Sequence, residues 1–105
     1  MAYENIDPEA FKNKIENLTD AVLLDVRTPV EAAINKIEGA TLINFNDGSA
    51  FVENIAKLDK DKTYLIYCRS GNRSGQACNY MAQQGFSKLY NLDGGIMAWE
   101  VEFPE

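Results

Sequence analysis

A chain of 105 residues, 46% hydrophobic and 25% charged, has the length and make-up of one globular domain with a continuous core. Sixteen acidic residues against ten basic give a net charge of −6, which argues against nucleic acid or an anionic membrane as a partner. With no histidine and only two cysteines, the chain excludes Cys-His and Ser-His-Asp catalysis, histidine-based or four-cysteine metal sites and a disulfide scaffold, so neither a metal nor a cofactor is expected.

Tyr3 to Ile6 reads as a short first strand. Asp7-Pro8 then supplies an N-cap and a proline at the first helical position, and Phe11, Ile15 and Leu18 recur at helical spacing, so a helix runs to about Asn17. Ala21-Val22-Leu23-Leu24-Asp25-Val26 is an apolar run broken by one acid, which suits a strand covered on both faces of a parallel sheet. Thr28-Pro29-Val30-Glu31 is a capping box that opens a short helix. Arg27 is expected to pair with Glu31 and tie that strand to that helix. Thr41 to Phe45 is the next strand, and Phe51, Val52, Ile55 and Leu58 mark another helix.

Asp59-Lys60-Asp61-Lys62 is a charged turn leading into Thr63-Tyr64-Leu65-Ile66-Tyr67, an apolar strand that ends at Cys68. The segment from Ser74 to Gln84 reads as a helix with Ala77, Cys78 and Met81 on one face and Gly85 as its C-cap, so Cys78 is assigned to packing. Lys88 to Leu92 is the last strand, Asp93-Gly94-Gly95 a tight turn, and Ile96 to Trp99 a short closing helix in which Trp99 and Phe103 belong to the core or its rim. Strands alternating with helices imply an α/β domain with a mainly parallel sheet, whose sites lie beyond the strands' carboxyl ends. Met1 to Pro8 has neither a basic nor an apolar leader, and no apolar stretch approaches the roughly 18 residues of a membrane span, so a cytoplasmic protein is expected.

Cys68 is where the chain places its chemistry. It is followed by Arg69-Ser70-Gly71-Asn72-Arg73-Ser74 and then a helix. A helix start offers unpaired N–H groups and the positive end of its dipole, loop amides can turn inward as a nest, and two guanidiniums add fixed charge. A sulfur held there favours its thiolate. Because histidine is absent, the means of activation are backbone amides, the helix dipole and arginine.

The chain resembles the rhodanese domain of the single-domain sulfurtransferase type. Four stretches carry the resemblance: Asp25-Val26-Arg27 with Glu31; Ile37, Gly39 and Ala40 ahead of a strand; Tyr67 through Ser74; and Asn91-Leu92-Asp93-Gly94-Gly95-Ile96 with Trp99. They span nearly the whole chain, and the loop after Cys68 is the most specific. The family often has Gly-His-Ile-Pro-Gly-Ala where this chain has Asn35-Lys36-Ile37-Glu38-Gly39-Ala40.

The resemblance implies one rhodanese-like domain over residues 1–105, with a central five-stranded, mainly parallel sheet flanked by helices. It also implies a cysteine, here Cys68, that takes sulfane sulfur from a small anionic donor such as thiosulfate and holds it as a persulfide. The sulfur then passes to cyanide, a small thiol or a protein acceptor. Arg69, Ser70, Gly71, Asn72, Arg73 and Ser74 would bind the donor, the two arginines attracting it and stabilising departing sulfite. A monomer is the default state for such a domain.

Two rivals follow from the same residues. Cysteine-based phosphatases also combine a thiolate, an amide cradle and an arginine, but with the arginine six positions after the cysteine; Arg73 is five positions after Cys68. A shorter loop makes a smaller cradle, suited to one sulfur rather than to a phosphoryl group. A non-enzymatic sulfur-carrier or interaction module is the other rival, set against the retention of the cysteine with its whole loop.

Overall fold

The structure, a computed structural model, describes residues 2–104. Five strands alternate with five helices: β1 (Glu4–Ile6), α1 (Pro8–Asn17), β2 (Val22–Asp25), α2 (Pro29–Ile34), β3 (Thr41–Leu42), α3 (Gly48–Ala56), β4 (Tyr64–Tyr67), α4 (Asn72–Gln83), β5 (Leu89–Leu92) and α5 (Gly95–Glu102). The strands form one sheet in the order β1-β5-β4-β2-β3, and every pairing in it is parallel. This is the α/β arrangement that the alternation of elements implies.

Local chemistry sets most of the boundaries. Asp7 caps α1 by accepting from the Ala10 N–H at 2.8 Å, with Pro8 at the first helical position. In α2 the capping box closes in both directions: the Glu31 N–H donates to Thr28 Oγ1 at 3.3 Å and the Thr28 N–H donates to Glu31 Oε1 at 3.2 Å.

β3 is shorter than the run Thr41–Phe45 suggested. Past Leu42 the Ile43 and Phe45 N–H groups still donate to the Asp25 and Val26 carbonyls, while Asn44 begins the turn into α3, its side chain accepting from the Asn46 N–H and its carbonyl from the Asp47 N–H. α5 runs further than expected, to Glu102, with Trp99 and Phe103 edge to face at 4.8 Å.

Period-two alternation divides the buried residues between the sheet's two faces. Leu24, Val26, Tyr64, Ile66 and Cys68 face α3 and α4, meeting Phe51, Ile55, Ala77, Cys78 and Met81. Leu23, Leu65, Tyr67 and Leu92 face the other way and meet Phe11 of α1 and Ile96 of α5. All four residues of β4 are buried, as befits the strand between β5 and β2 in the middle of the sheet. Since Tyr64, Ile66 and Cys68 share a face, the thiol is delivered to the α4 side, at the carboxyl edge of the central strand.

The expected Arg27–Glu31 ion pair is not formed among the described residues, and Arg27 meets Glu31 only at its carbonyl, from Nη1 at 3.4 Å. Arg27 is 1% exposed and bonds instead to Asp25, with Nε to Oδ1 at 2.9 Å and Nη2 to Oδ2 at 2.7 Å. The reason is distance along the fold: two residues apart at the end of β2, the carboxylate and the guanidinium meet in fork geometry within the protein interior. Arg27 still ties β2 to α2, through the side chain and carbonyl of Asn35.

Tyr67 completes the cluster by donating to Asp25 Oδ2 and accepting from the Ile37 N–H. Burial raises the Tyr67 hydroxyl to about 12, so it is held as a donor. The segment carrying Lys36 and Glu38 is thereby anchored through Ile37, which is buried. Among the described residues, no helix is long and apolar enough to cross a membrane.

Candidate active site

At the end of β4 the backbone turns at Gly71, which has φ +99 and serves as the N-cap of α4. An L side chain rarely adopts that conformation, and glycine adopts it freely. The turn brings the first amides of α4 back over the thiol. The Gly71 N–H donates to Cys68 Sγ at 3.1 Å and the Ser74 hydroxyl donates to it at 3.3 Å.

Burial pushes the Cys68 thiol up. Against it act the Ser74 hydroxyl, then the backbone N–H groups of Ser74, Gly71 and Ser70, and together they hold the thiol below its ordinary 9.0. Arg73 adds a longer-range contribution, since its guanidinium and the Cys68 charge favour each other. The charge is stabilised by short-range donors, and the strongest is a side-chain hydroxyl. Ser74 was expected to contribute only as part of the loop. Its hydroxyl was legible in principle, since a serine in the first turn of a helix carries its oxygen near the helix start.

The two arginines part company. Arg73 turns to Glu31, donating from Nη1 to Oε1 at 2.7 Å and from Nη2 to Oε2 at 2.8 Å. This fork–fork pair, reinforced by the Thr28 N–H and hydroxyl, holds Glu31 down at about 2. It joins α2 to α4 across 42 positions of sequence. Arg69 is exposed and makes no ion pair among the described residues. It lines a groove of about 280 Å³ with Glu31, Ile34, Met97 and Glu100. Ser70 and Asn72 lie on the other flank of the loop, in a more polar groove of about 400 Å³ that also reaches Asn5 and Asn91.

The loop is held from behind by α5. The Ile96 N–H donates to the Cys68 carbonyl at 2.9 Å and the Met97 N–H to the Arg69 carbonyl at 3.2 Å. A peptide unit is planar, so its carbonyl and the N–H of the next residue point in opposite directions. Anchoring the Arg69 carbonyl behind the loop therefore sends the Ser70 N–H forward, toward the sulfur. Gly95 makes the approach possible: a Cβ at that position would overlap the Arg69 carbonyl. The Gly94-Gly95 turn is thus part of the site's support, a role that the sequence alone reduced to turn chemistry.

Cys78 lies outside this arrangement. It is buried on the apolar face of α4, it is not disulfide-bonded, and burial with the nearby Cys68 charge pushes its thiol to about 12. Cys68 also exposes no surface. The two thiols differ in their hydrogen bonds rather than in their burial.

Comparison with known proteins adds an independent line. The sequence profile of the rhodanese-like domain matches residues 7–102. A sulfurtransferase of Allochromatium vinosum is 39% identical over 94 residues, covering 90% of this chain and 85% of that protein. The thiosulfate sulfurtransferase of Pseudomonas paraeruginosa is 36% identical over 102 residues, covering 97% of this chain and 88% of that protein. Among solved structures, a rhodanese-related protein from Thermoplasma volcanium superposes with a TM-score of 0.81 at 30% identity, covering 96% of this chain and 94% of that one.

Proposed function

Since the chain belongs to the rhodanese-like domain family, we propose that it is a sulfurtransferase whose Cys68 thiolate takes the outer sulfur of thiosulfate or a similar small anionic donor. In the first step the Cys68 thiolate attacks that sulfur, a new S–S bond forms, and the donor's own S–S bond breaks with its electron pair leaving on sulfite. The product is an anionic Cys68 persulfide. In the second step cyanide or a thiolate attacks the outer persulfide sulfur, and the bond's electron pair returns to Cys68. No net oxidant is required.

The observation that carries this reading is the pair of donors on Cys68 Sγ, the Gly71 N–H and the Ser74 hydroxyl, at the start of α4. Preorganised donors aimed at a sulfur that stays anionic from thiolate to persulfide are where such a reaction gains rate. Arg69, Ser70, Gly71, Asn72, Arg73 and Ser74 form the donor-binding loop. Arg69 supplies the free charge that meets the dianion, while Arg73, held by Glu31, fixes the loop to α2. The sulfur is enclosed, so the donor reaches it only as the loop's rim side chains move aside.

The loop length also supports sulfur over phosphoryl transfer, because Arg73 at five positions after Cys68 closes a smaller cradle. Thiocyanate formation from thiosulfate and cyanide tests the reading. Turnover by the wild type, none by Cys68→Ser and no hydrolysis of a chromogenic phosphate ester is the expected result. Cys68-dependent ester hydrolysis without thiocyanate formation would replace it with the phosphatase reading.

A further inference from the structure

Asn91 sits in β5, beneath the polar groove that runs past Ser70 and Asn72. It is 4% exposed, and its Oδ1 has no hydrogen-bond partner among the described residues. A buried acceptor without a partner is destabilising, so a position that keeps one calls for an explanation. The other end of the same amide supplies it. Asn91 Nδ2 donates to Asn5 Oδ1 at 2.8 Å and to the Gly71 carbonyl at 3.1 Å. Asn5 and Asn91 are register partners on adjacent parallel strands, so the ladder itself sets the first of these bonds.

Gly71 is the hinge of the loop around Cys68. Its own N–H reaches Cys68 Sγ, and its carbonyl belongs to the peptide that starts α4. The Gly75 N–H also donates to that carbonyl, as an ordinary helix bond. By planarity, a Gly71 carbonyl held toward β5 fixes the Asn72 N–H in the opposite direction. α5 does the same for the two earlier carbonyls with backbone N–H groups. At Gly71 the sheet does it with a side chain.

Resting on the sulfurtransferase reading, we propose that Asn91 is a positioning residue for sulfur transfer: oriented by Asn5, its amide clamps the Gly71 carbonyl and so holds Gly71 in the turn whose N–H meets Cys68 Sγ. It touches neither donor nor reacting atoms and acts through the backbone of Gly71. The clamp links the edge strand β1, through β5, to the loop. Asn5 is exposed, so it can be changed without opening the core.

The test compares Asn91→Leu, Asn5→Leu and Asn5→Asp with the wild type. The readouts are melting temperature, the pH profile of Cys68 alkylation by iodoacetamide, and kcat and KM for thiosulfate. Asn91→Leu removes the clamp together with the unpaired oxygen, so its melting temperature is expected to stay close to that of the wild type. Its alkylation midpoint moves to higher pH, and kcat falls roughly tenfold or more with KM changed much less, because the Gly71 N–H is no longer held on the reacting sulfur. Asn5→Leu shifts both readouts in the same direction by less. Asn5→Asp keeps an acceptor for the Asn91 amide and restores them.

An unchanged alkylation profile and unchanged kcat in a folded Asn91→Leu overturns the proposal. Should Asn91→Leu not fold, equal profiles for Asn5→Leu and wild type overturn it. The alkylation profile needs no sulfur donor. A wild type that fails to turn over thiosulfate therefore counts against the sulfurtransferase reading, while the clamp still stands or falls on the pH profile.

Discussion

The thiol of Cys68 and the thiol of Cys78 are both buried within one short stretch of chain, yet the fold drives them in opposite directions. Cys78 has apolar neighbours and a thiol near 12, whereas Cys68 has a hydroxyl and three amides and lies below 9.0. Burial opposes the thiolate in both cases, so hydrogen bonding decides the difference. Ser74→Ala removes the strongest of those donors. Its alkylation midpoint is expected to move to higher pH and its kcat for sulfur transfer to fall about tenfold or more. A profile that overlays the wild type would show that the amides alone hold the charge. Cys78→Ala is expected to keep kcat within about threefold, with any loss appearing in melting temperature, since it removes packing and nothing the reaction uses. Loss of turnover in a folded Cys78→Ala would assign it a redox role.

Two helix N-termini converge behind and above the sulfur, and both open on glycine with no side-chain cap. The N–H groups of α4 are left for Cys68, and those of α5 hold the carbonyls of Cys68 and Arg69. Gly95→Ala tests that division. With φ +62 and the Arg69 carbonyl in the way, a methyl group there is expected to cost about 1–3 kcal/mol and to lower kcat in whatever fraction remains folded. A variant as stable and active as the wild type would mean that the loop does not depend on α5.

The elements themselves were readable from period and caps: Asp7-Pro8, the Thr28–Glu31 box and the apolar run before Cys68 all appear where the chain announces them. Relationships between elements were not. That Glu31 bonds to Arg73, or that Gly95 passes under Arg69, follows from how α2, α4 and α5 pack on one sheet edge. Local spacing favours the nearer pairing of Arg27 with Glu31 and carries no signal for a contact 42 positions away.

On the scale of the whole molecule, the proposed reaction requires a chain of net charge −6 to receive a dianion, at one edge of its sheet. That edge also carries the Glu31–Arg73 bond that staples α2 to α4. Glu31 has a folded value of about 2 against an ordinary 4.5, so its contribution to stability is fully present above about pH 4.5 and is lost as pH falls toward 2. Glu31→Gln keeps the capping box and removes the charge. Its melting temperature is expected to lie below that of the wild type at neutral pH, by a modest amount because the pair is partly solvated, with the gap closing as pH falls from 4.5 toward 2. A gap constant with pH would mean that the carboxylate's charge does not support the fold.

Sulfur transfer by this chain requires that the sulfur of Cys68 accept a second sulfur. Intact mass of the wild type and of Cys68→Ser, before and after brief exposure to thiosulfate and removal of excess donor, measures that directly. Gain of the mass of one sulfur atom by the wild type alone, reversed by cyanide, is the expected result. No gain by the wild type, or an equal gain by Cys68→Ser, would contradict it.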